Sequence, residues 1–258
     1  RLADVLRVPT DQRAAFIRLA RVVVTAEGDE SEPPATAPAT TTTDRASLQP
    51  RPLPNATNPL IGREAEINSL RQLLVHEQSR LVTLVGVGGM GKTRLAVEVA
   101  TTIAPHFADG VAFVSVAALR VAAHLSGAVA DAFQLPVGGG DPSEQVLATL
   151  APRHLLLVLD GFEELLHQDA HGGAQEAVAW VNWFLQQTTS VQLLVTSRER
   201  LRLRSERPFE LGGLALPTLG TPAVASDAVM LFLERAQQST TDFRLDSSNQ
   251  AAVARICQ

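Results

Sequence analysis

Short apolar runs that alternate with helical stretches restrict the possible fold of this chain more than any other feature. Four runs are each long enough for one buried strand: Leu81–Val85, Val111–Val116, Leu155–Leu159 and Val191–Val195. Continuous apolar strands separated by helices are typical of a parallel sheet with both faces covered. Phe209–Leu211 is a candidate for a short fifth strand. The pattern predicts an α/β fold, with a parallel five-stranded sheet flanked by helices.

The rest of the chain consists of segments that differ in amino-acid composition. Residues 1–24 suggest two short helices, which cannot bury a core alone. Residues 25–59 are rich in Pro and Thr, and positions 25–47 contain no large apolar residue, so a disordered linker is expected. The α/β core is predicted over 60–212. Residues 213–258 are predicted to begin a helical subdomain that is truncated at the end of the chain.

The composition narrows the class of protein. The chain has 258 residues, of which 45% are hydrophobic and 19% charged, as in ordinary globular proteins. Its net charge of −5 argues against a polycation that binds nucleic acid directly. One cysteine excludes a disulfide framework and suits a reducing cytoplasm. No apolar run approaches the ~18 residues that span a bilayer, so a cytoplasmic protein without membrane contact is expected.

A glycine-rich loop follows the first strand and leads into a helix. Its sequence matches GxxxxGK[ST], whose glycines let backbone N–H groups curl around an anion. Lys92 would place its charge between the β- and γ-phosphates, and the Thr93 hydroxyl would ligate Mg²⁺. The candidate nucleotide-binding residues of this segment are Gly86, Val87, Gly88, Gly89, Met90, Gly91, Lys92, Thr93 and Arg94.

Lys92 is the single lysine among 22 basic residues. Its compact ammonium fits between phosphate oxygens better than the planar guanidinium of arginine. Because no second lysine exists, the guanine-reading Asn-Lys-x-Asp signature is excluded, and adenine is the expected base. ATP or ADP with Mg²⁺ is therefore the predicted cofactor.

Acidic residues follow the third apolar run. Asp160 would hold Mg²⁺ at the carboxyl edge of the sheet, as a Walker B acid does, unless it merely caps the next helix. Glu163 and Glu164 are candidates for the carboxylate that orients an attacking water, and Glu163 is preferred. Both could instead be first-turn carboxylates that the helix dipole favours.

Polar residues also follow the fourth apolar run. Thr196, Ser197 or Arg198 would project towards the γ-phosphate, and Arg198 could sense it through charge-assisted hydrogen bonds. The alternative places Arg198 in a solvated basic loop, 198–204. Asp160, Glu163 and Arg198 are thus the predicted catalytic residues, and Thr93 and Asp160 the predicted metal ligands.

These motifs together resemble the STAND class of signal-transduction NTPases, which includes the NB-ARC (AP-ATPase) proteins and bacterial regulators of the AfsR type. Four segments carry the resemblance: 58–64 with Gly62-Arg63-Glu64, 86–93, 155–165 and 193–201. It implies that Ile61, Gly62 and Arg63 lie beside adenine and ribose. It also implies a switch between a closed ADP state and an ATP state that self-associates.

Two further expectations come from this resemblance. Gly161 stands where relatives usually have Asp or Asn, so ATP hydrolysis is expected to be slow. Residues 1–24 resemble the last helices of an XRE-type helix-turn-helix domain, so DNA contact is expected only through an upstream domain. The alternatives are a remodelling ATPase of the AAA+ type and a nucleotide-binding interaction module that does not hydrolyse ATP.

Overall fold

The computed structural model describes residues 48, 50–55, 58–135, 141–167, 173–217, 226–240 and 242–257. All of them fall in one structural unit, Ala46–Gln258. The predicted helices of residues 1–24 lie outside the described residues, as does most of the predicted linker, 25–59.

The central sheet consists of five parallel strands: β1 Leu81–Val85, β2 Val111–Ser115, β3 Leu156–Asp160, β4 Gln192–Ser197 and β5 Glu206–Glu210. Their order is β2-β3-β4-β1-β5, and every pairing is parallel. The predicted α/β fold with a parallel five-stranded sheet is therefore confirmed. Because β4 lies between β1 and β3, the segments that leave these three strands meet at one edge of the sheet.

Helices cover both faces of the sheet. They are α1 Glu64–Arg71, α2 Lys92–Ile103, α3 Leu125–Ala132, α4 Pro142–Leu150, α5 Glu163–Leu166, α6 Gly173–Gln187, α7 Asp227–Ser239 and α8 Gln250–Ile256. A π-helical turn, Gln72–His76, continues α1, and two 3₁₀ turns cover Ala104–His106 and Ala122–His124. Successive side chains of β3 point to opposite faces of the sheet. Leu157 packs in the hydrophobic cluster that includes α3, α4 and α6, and Leu156 packs in the cluster that includes α1 and α2.

Strand β5 begins earlier than the predicted Phe209–Leu211. Among the strands of the described residues it pairs with β1 alone, as an edge strand, and its side chains are exposed or half-buried. An edge strand does not need a continuous apolar run, and it tolerates Pro208, which cannot donate a backbone hydrogen bond. The apolar pattern therefore missed the first residues of this strand.

The described part of the predicted linker lies against the α/β unit. Leu48 packs against one hydrophobic cluster and Leu53 against the other. The backbone N–H of Arg51 donates to the carbonyl of Ala132 at 2.8 Å. Residues 50–55 thus contact the core, whereas the proposed domain boundaries stay predictions.

Candidate nucleotide-binding site

The glycine-rich loop joins β1 to α2 through two left-handed residues. Gly89 has a φ of +81° and Gly91 a φ of +87°, which residues with a Cβ rarely adopt. Gly91 directly precedes α2, and no side chain caps the N-terminus of that helix. The loop therefore leads into a helix end whose N–H groups can serve an anion.

Lys92 points back into this loop. Its Nζ donates to the carbonyl oxygens of Gly86 at 2.8 Å and of Val87 at 3.1 Å, and the residue is 8% exposed. Neither partner carries a charge, and Lys92 makes no ion pair within the described part of the chain. The ammonium charge is therefore held at the loop without a counter-charge, as a phosphate-binding lysine requires.

Asp160 and Thr196 form a hydrogen-bonded pair across the neighbouring ends of β3 and β4. The Thr196 hydroxyl donates to Asp160 Oδ1 at 2.7 Å and accepts from the Gly161 N–H at 2.9 Å. Thr196 is 1% exposed and Asp160 is 9% exposed. Thr196, a predicted alternative for the sensor, therefore orients the Asp160 carboxylate.

Glu163 and Arg198 form an ion pair beside the loop, with 3.3 Å between Arg198 Nε and Glu163 Oε1. The guanidinium also lies next to the loop backbone, since a Cβ built on Gly88 would stand 3.5 Å from Arg198 Nη2. Glu163 is buried, and its Oε2 atom has no hydrogen-bond partner among the residues that are described. Glu164, the alternative carboxylate, is exposed. The structure thus brings Glu163 and Arg198 together, and their catalytic roles stay predictions.

Gly161 has a structural reason to be glycine. Its φ is +79°, and a Cβ at this position would lie 2.9 Å from the Cβ of Ala117. The turn after Asp160 therefore combines a left-handed backbone with close packing. Any side chain at this position, including the Asp or Asn of the resembled family, would have to displace Ala117.

The segment 58–63, directly before α1, extends to the first residues of α7. Arg63 is 5% exposed and donates to Glu66 Oε1 at 2.6 Å and to the Gly212 carbonyl at 2.8 Å. Gly62 has a φ of +65°, and an added Cβ would overlap the carboxyl group of Asp227. Arg63 therefore anchors this segment to the chain that follows β5.

A cavity of about 190 Å³ lies where this segment, the glycine-rich loop and α7 meet. Its lining includes the apolar residues Pro59, Leu60, Ile61, Met90, Leu214 and Leu231 and the arginines Arg63, Arg94 and Arg235. A larger groove of about 460 Å³ lies between α6 and residues 199–203 and includes no residue of the loop. The smaller cavity is the better candidate for a base because it adjoins the phosphate loop.

Thr93 lies on the exposed side of the first turn of α2, next to Lys92. Within the described ranges, no group of three or more His, Cys, Asp and Glu side chains could hold a metal ion. Thr93 and Asp160 fit another kind of magnesium site, in which phosphate oxygens and water supply most of the ligands. In the part of the chain that is described, no helix has the length and apolar character to cross a bilayer.

A phosphate loop after the first strand of a parallel sheet and a carboxylate at the end of the third strand define a P-loop NTPase fold. The Orc1 protein of Aeropyrum pernix, solved in complex with DNA, shares the fold with a TM-score of 0.50 and 19% identity. That match covers 82% of this chain and 58% of Orc1. The NACHT domain family model matches residues 80–225, more than half of the chain. The chain belongs to the NACHT family of STAND-class P-loop NTPases.

Relatives from Mycobacterium tuberculosis and Streptomyces griseus support the same assignment. An uncharacterized protein of Mycobacterium tuberculosis is 31% identical over 199 residues, which cover 77% of this chain and 46% of that protein. A protein of the same organism, named as an HTH-type transcriptional regulator, is 32% identical over 190 residues, or 73% of this chain and 19% of the regulator. The regulatory protein AfsR of Streptomyces griseus is 32% identical over 160 residues, or 60% of this chain and 16% of AfsR.

This chain thus spans less than half the length of these relatives. The predicted resemblance to STAND-class proteins of AfsR-type regulators is confirmed, and the family model that matches is NACHT. The likeness to NB-ARC proteins in particular stays a prediction.

Proposed function

We propose that this chain is the ATP- and ADP-binding switch module of a bacterial regulatory protein. The observation that carries the proposal is the convergence of three charged groups on one edge of the sheet. The Lys92 ammonium, the Asp160 carboxylate and the Arg198 guanidinium all adjoin the ends of β1, β3 and β4. Opposite charges so arranged suit a magnesium-bound triphosphate.

The loop residues would bind the phosphates. Lys92 would exchange its two carbonyl partners for phosphate oxygens, gaining charge-assisted hydrogen bonds. The hydroxyl of Thr93 and the carboxylate of Asp160, which Thr196 orients, would hold Mg²⁺. The bound ion would neutralise charge on the phosphate oxygens.

Arg198 and Glu163 would make the site respond to the γ-phosphate. Arg198 lies between Gly88 and Glu163, so a γ-phosphate at the loop would compete with Glu163 for the guanidinium. Once released, Glu163 could orient a water molecule for hydrolysis. Because the ion pair must first open, and Gly161 supplies no side chain, we expect slow hydrolysis.

The wider role follows the relatives' names. The proteins named as an HTH-type regulator and AfsR support a part in transcription regulation. We place the chain in the cytoplasm, with self-association in its ATP state and DNA contact through an upstream domain alone. Reorganisation around a γ-phosphate is the physical basis of such switches.

A second candidate function is a binding module that never hydrolyses its nucleotide. The Glu163–Arg198 ion pair favours it, because the guanidinium holds Oε1 of Glu163 and so restrains the carboxylate from turning toward an attacking water. A remodelling ATPase of the AAA+ type would in addition require a catalytic arginine from a neighbouring copy.

The test combines calorimetry with ATP and ADP, with and without Mg²⁺, and a phosphate-release assay over a range of protein concentrations. The switch proposal predicts tight ATP binding and slow release of phosphate. Tight binding without any release would favour the binding module, and release that rises more than proportionally with protein concentration would favour the remodelling ATPase. Absence of binding would overturn the proposal.

A further inference from the structure

Arg94, directly after Thr93, has two buried donor atoms without a partner in the described structure. Its Nε and Nη2 atoms are both buried, and neither has a hydrogen-bond partner among the described residues. Arg94 also makes no ion pair in the described part of the chain. Buried donors of this kind are unfavourable unless a ligand accepts their hydrogen bonds.

The two unsatisfied atoms define the shape of that ligand. Nε and Nη2 form one edge of the guanidinium and direct two nearly parallel N–H bonds. Such an edge fits two acceptor oxygens attached to one atom, as in a phosphate or a carboxylate. Adenine presents an acceptor beside a donor along its N6/N7 edge, so it matches this pair of donors poorly.

The surroundings of Arg94 favour an anion. It lines the cavity of about 190 Å³, and the described residues of that lining include three arginines and no carboxylate. Arg63 is already engaged by Glu66 and the Gly212 carbonyl, and Arg235 donates to Gln238. Arg63 and Arg235 thus have hydrogen-bond partners, whereas Nε and Nη2 of Arg94 have none in the described structure.

We propose that Arg94 binds two non-bridging oxygens of the α-phosphate of the nucleotide. This inference rests on the proposed function, in which Lys92 binds the β- and γ-phosphates and the apolar part of the cavity holds the base. The α-phosphate joins these two parts, and Arg94 lies on the helix that starts between them. Arg94 would then report that a nucleotide, rather than free pyrophosphate, fills the site.

The test compares ADP with the two diastereomers of ADPαS, in which sulfur replaces one α-phosphate oxygen. Titrations are made by calorimetry without Mg²⁺, so that metal preference does not enter. Sulfur is a weak hydrogen-bond acceptor, so the unsubstituted chain should bind at least one diastereomer several times more weakly than ADP. Arg94→Gln and Arg94→Met should bind ADP about tenfold more weakly and lose that distinction.

The matched control is Arg71→Gln, which removes the same charge from an exposed position on α1. It should leave ADP affinity and the response to sulfur unchanged. Thermal melting without nucleotide checks the fold, and the Arg94 variants should melt at the same or a higher temperature because an unsatisfied charge is gone.

Several outcomes would overturn the inference. Unchanged ADP affinity in both Arg94 variants would do so, as would an equal loss in Arg71→Gln. If the Arg94 variants bound ADP more weakly but still distinguished ADP from ADPαS, Arg94 would contact the base or ribose and not the α-phosphate. If the unsubstituted chain fails to bind ADP at all, the proposed function itself fails, so the two failures are distinguishable.

Discussion

The two sides of the candidate site hold their charged groups in different ways. On the loop side, Lys92 contacts two carbonyl oxygens and Arg94 has two buried donors without partners in the described structure. On the acidic side, Thr196 fixes Asp160 and Arg198 pairs with Glu163. The loop side thus offers donors to an anion, whereas each carboxylate of the acidic side already has a partner within the protein. We infer that nucleotide binding and hydrolysis are separable, and that each depends mainly on one side.

Lys92→Ala tests the loop side and should have the largest effect. Losing the ammonium should weaken ATP binding at least about 100-fold, since charge-assisted hydrogen bonds to phosphate are lost. Calorimetry measures the affinity, and Lys92→Arg shows whether charge alone suffices. We expect the arginine variant to bind poorly as well, because a planar guanidinium does not fit the loop as an ammonium does. Unaltered affinity in Lys92→Ala would refute the phosphate-loop assignment.

Glu163→Gln tests the acidic side. Phosphate release should fall about 100-fold, because the amide cannot accept a proton from water. ATP affinity should stay the same or rise, since Glu163 would not contact the nucleotide and its neutral variant no longer competes with the γ-phosphate for Arg198. Glu164→Gln, at an exposed position on the same helix, is the matched control. If only the control variant loses activity, the catalytic carboxylate has been assigned wrongly.

Thr196→Val removes the hydroxyl that links Asp160 to Gly161 and nearly preserves the shape of the side chain. The Asp160 carboxylate and the Gly161 N–H each lose a partner, so the free energy of unfolding should fall by about 2 kcal/mol in denaturant titrations. Mg²⁺ should also strengthen ATP binding less than in the unsubstituted chain. Asp160→Asn should abolish that Mg²⁺ effect, whereas Thr196→Ser should keep it. A full Mg²⁺ effect in Thr196→Val would show that Asp160 needs no orientation.

Gly161→Ala should have the smallest effect, a destabilisation of about 1–2 kcal/mol, because φ is +79° and Ala117 lies close. Gly127→Ala, within α3 and with open space around its Cα, should instead stabilise by about 0.5–1 kcal/mol. Chemical denaturation measures both. If Gly161→Ala stabilised the protein as Gly127→Ala is expected to do, the account of the turn would be contradicted.

The chain's periodicity predicts most of the sheet because strands that are buried on both faces must be apolar throughout. It fails at Glu206–Pro208, since an edge strand faces solvent. The glycine-rich loop is equally predictable, because its chemistry is local in sequence.

The paired side chains of the site are less predictable. The hydrogen bond between Thr196 and Asp160 and the ion pair between Arg198 and Glu163 both depend on β4 lying beside β3. Strand order is not contained in periodicity, so the partners could be named only as candidates. The unsatisfied donors of Arg94 emerge from packing, and no pattern in the chain signals them.

The central claim is that the loop after β1 holds an adenine nucleotide through Lys92. The most direct measurement begins by incubating the purified chain with ATP and Mg²⁺ and removing free nucleotide by gel filtration. The chain is then denatured, and the released small molecules are identified by mass spectrometry. We predict ATP or ADP at close to one molecule per chain, and none from Lys92→Ala. No released nucleotide, or the same amount from both chains, would contradict the account.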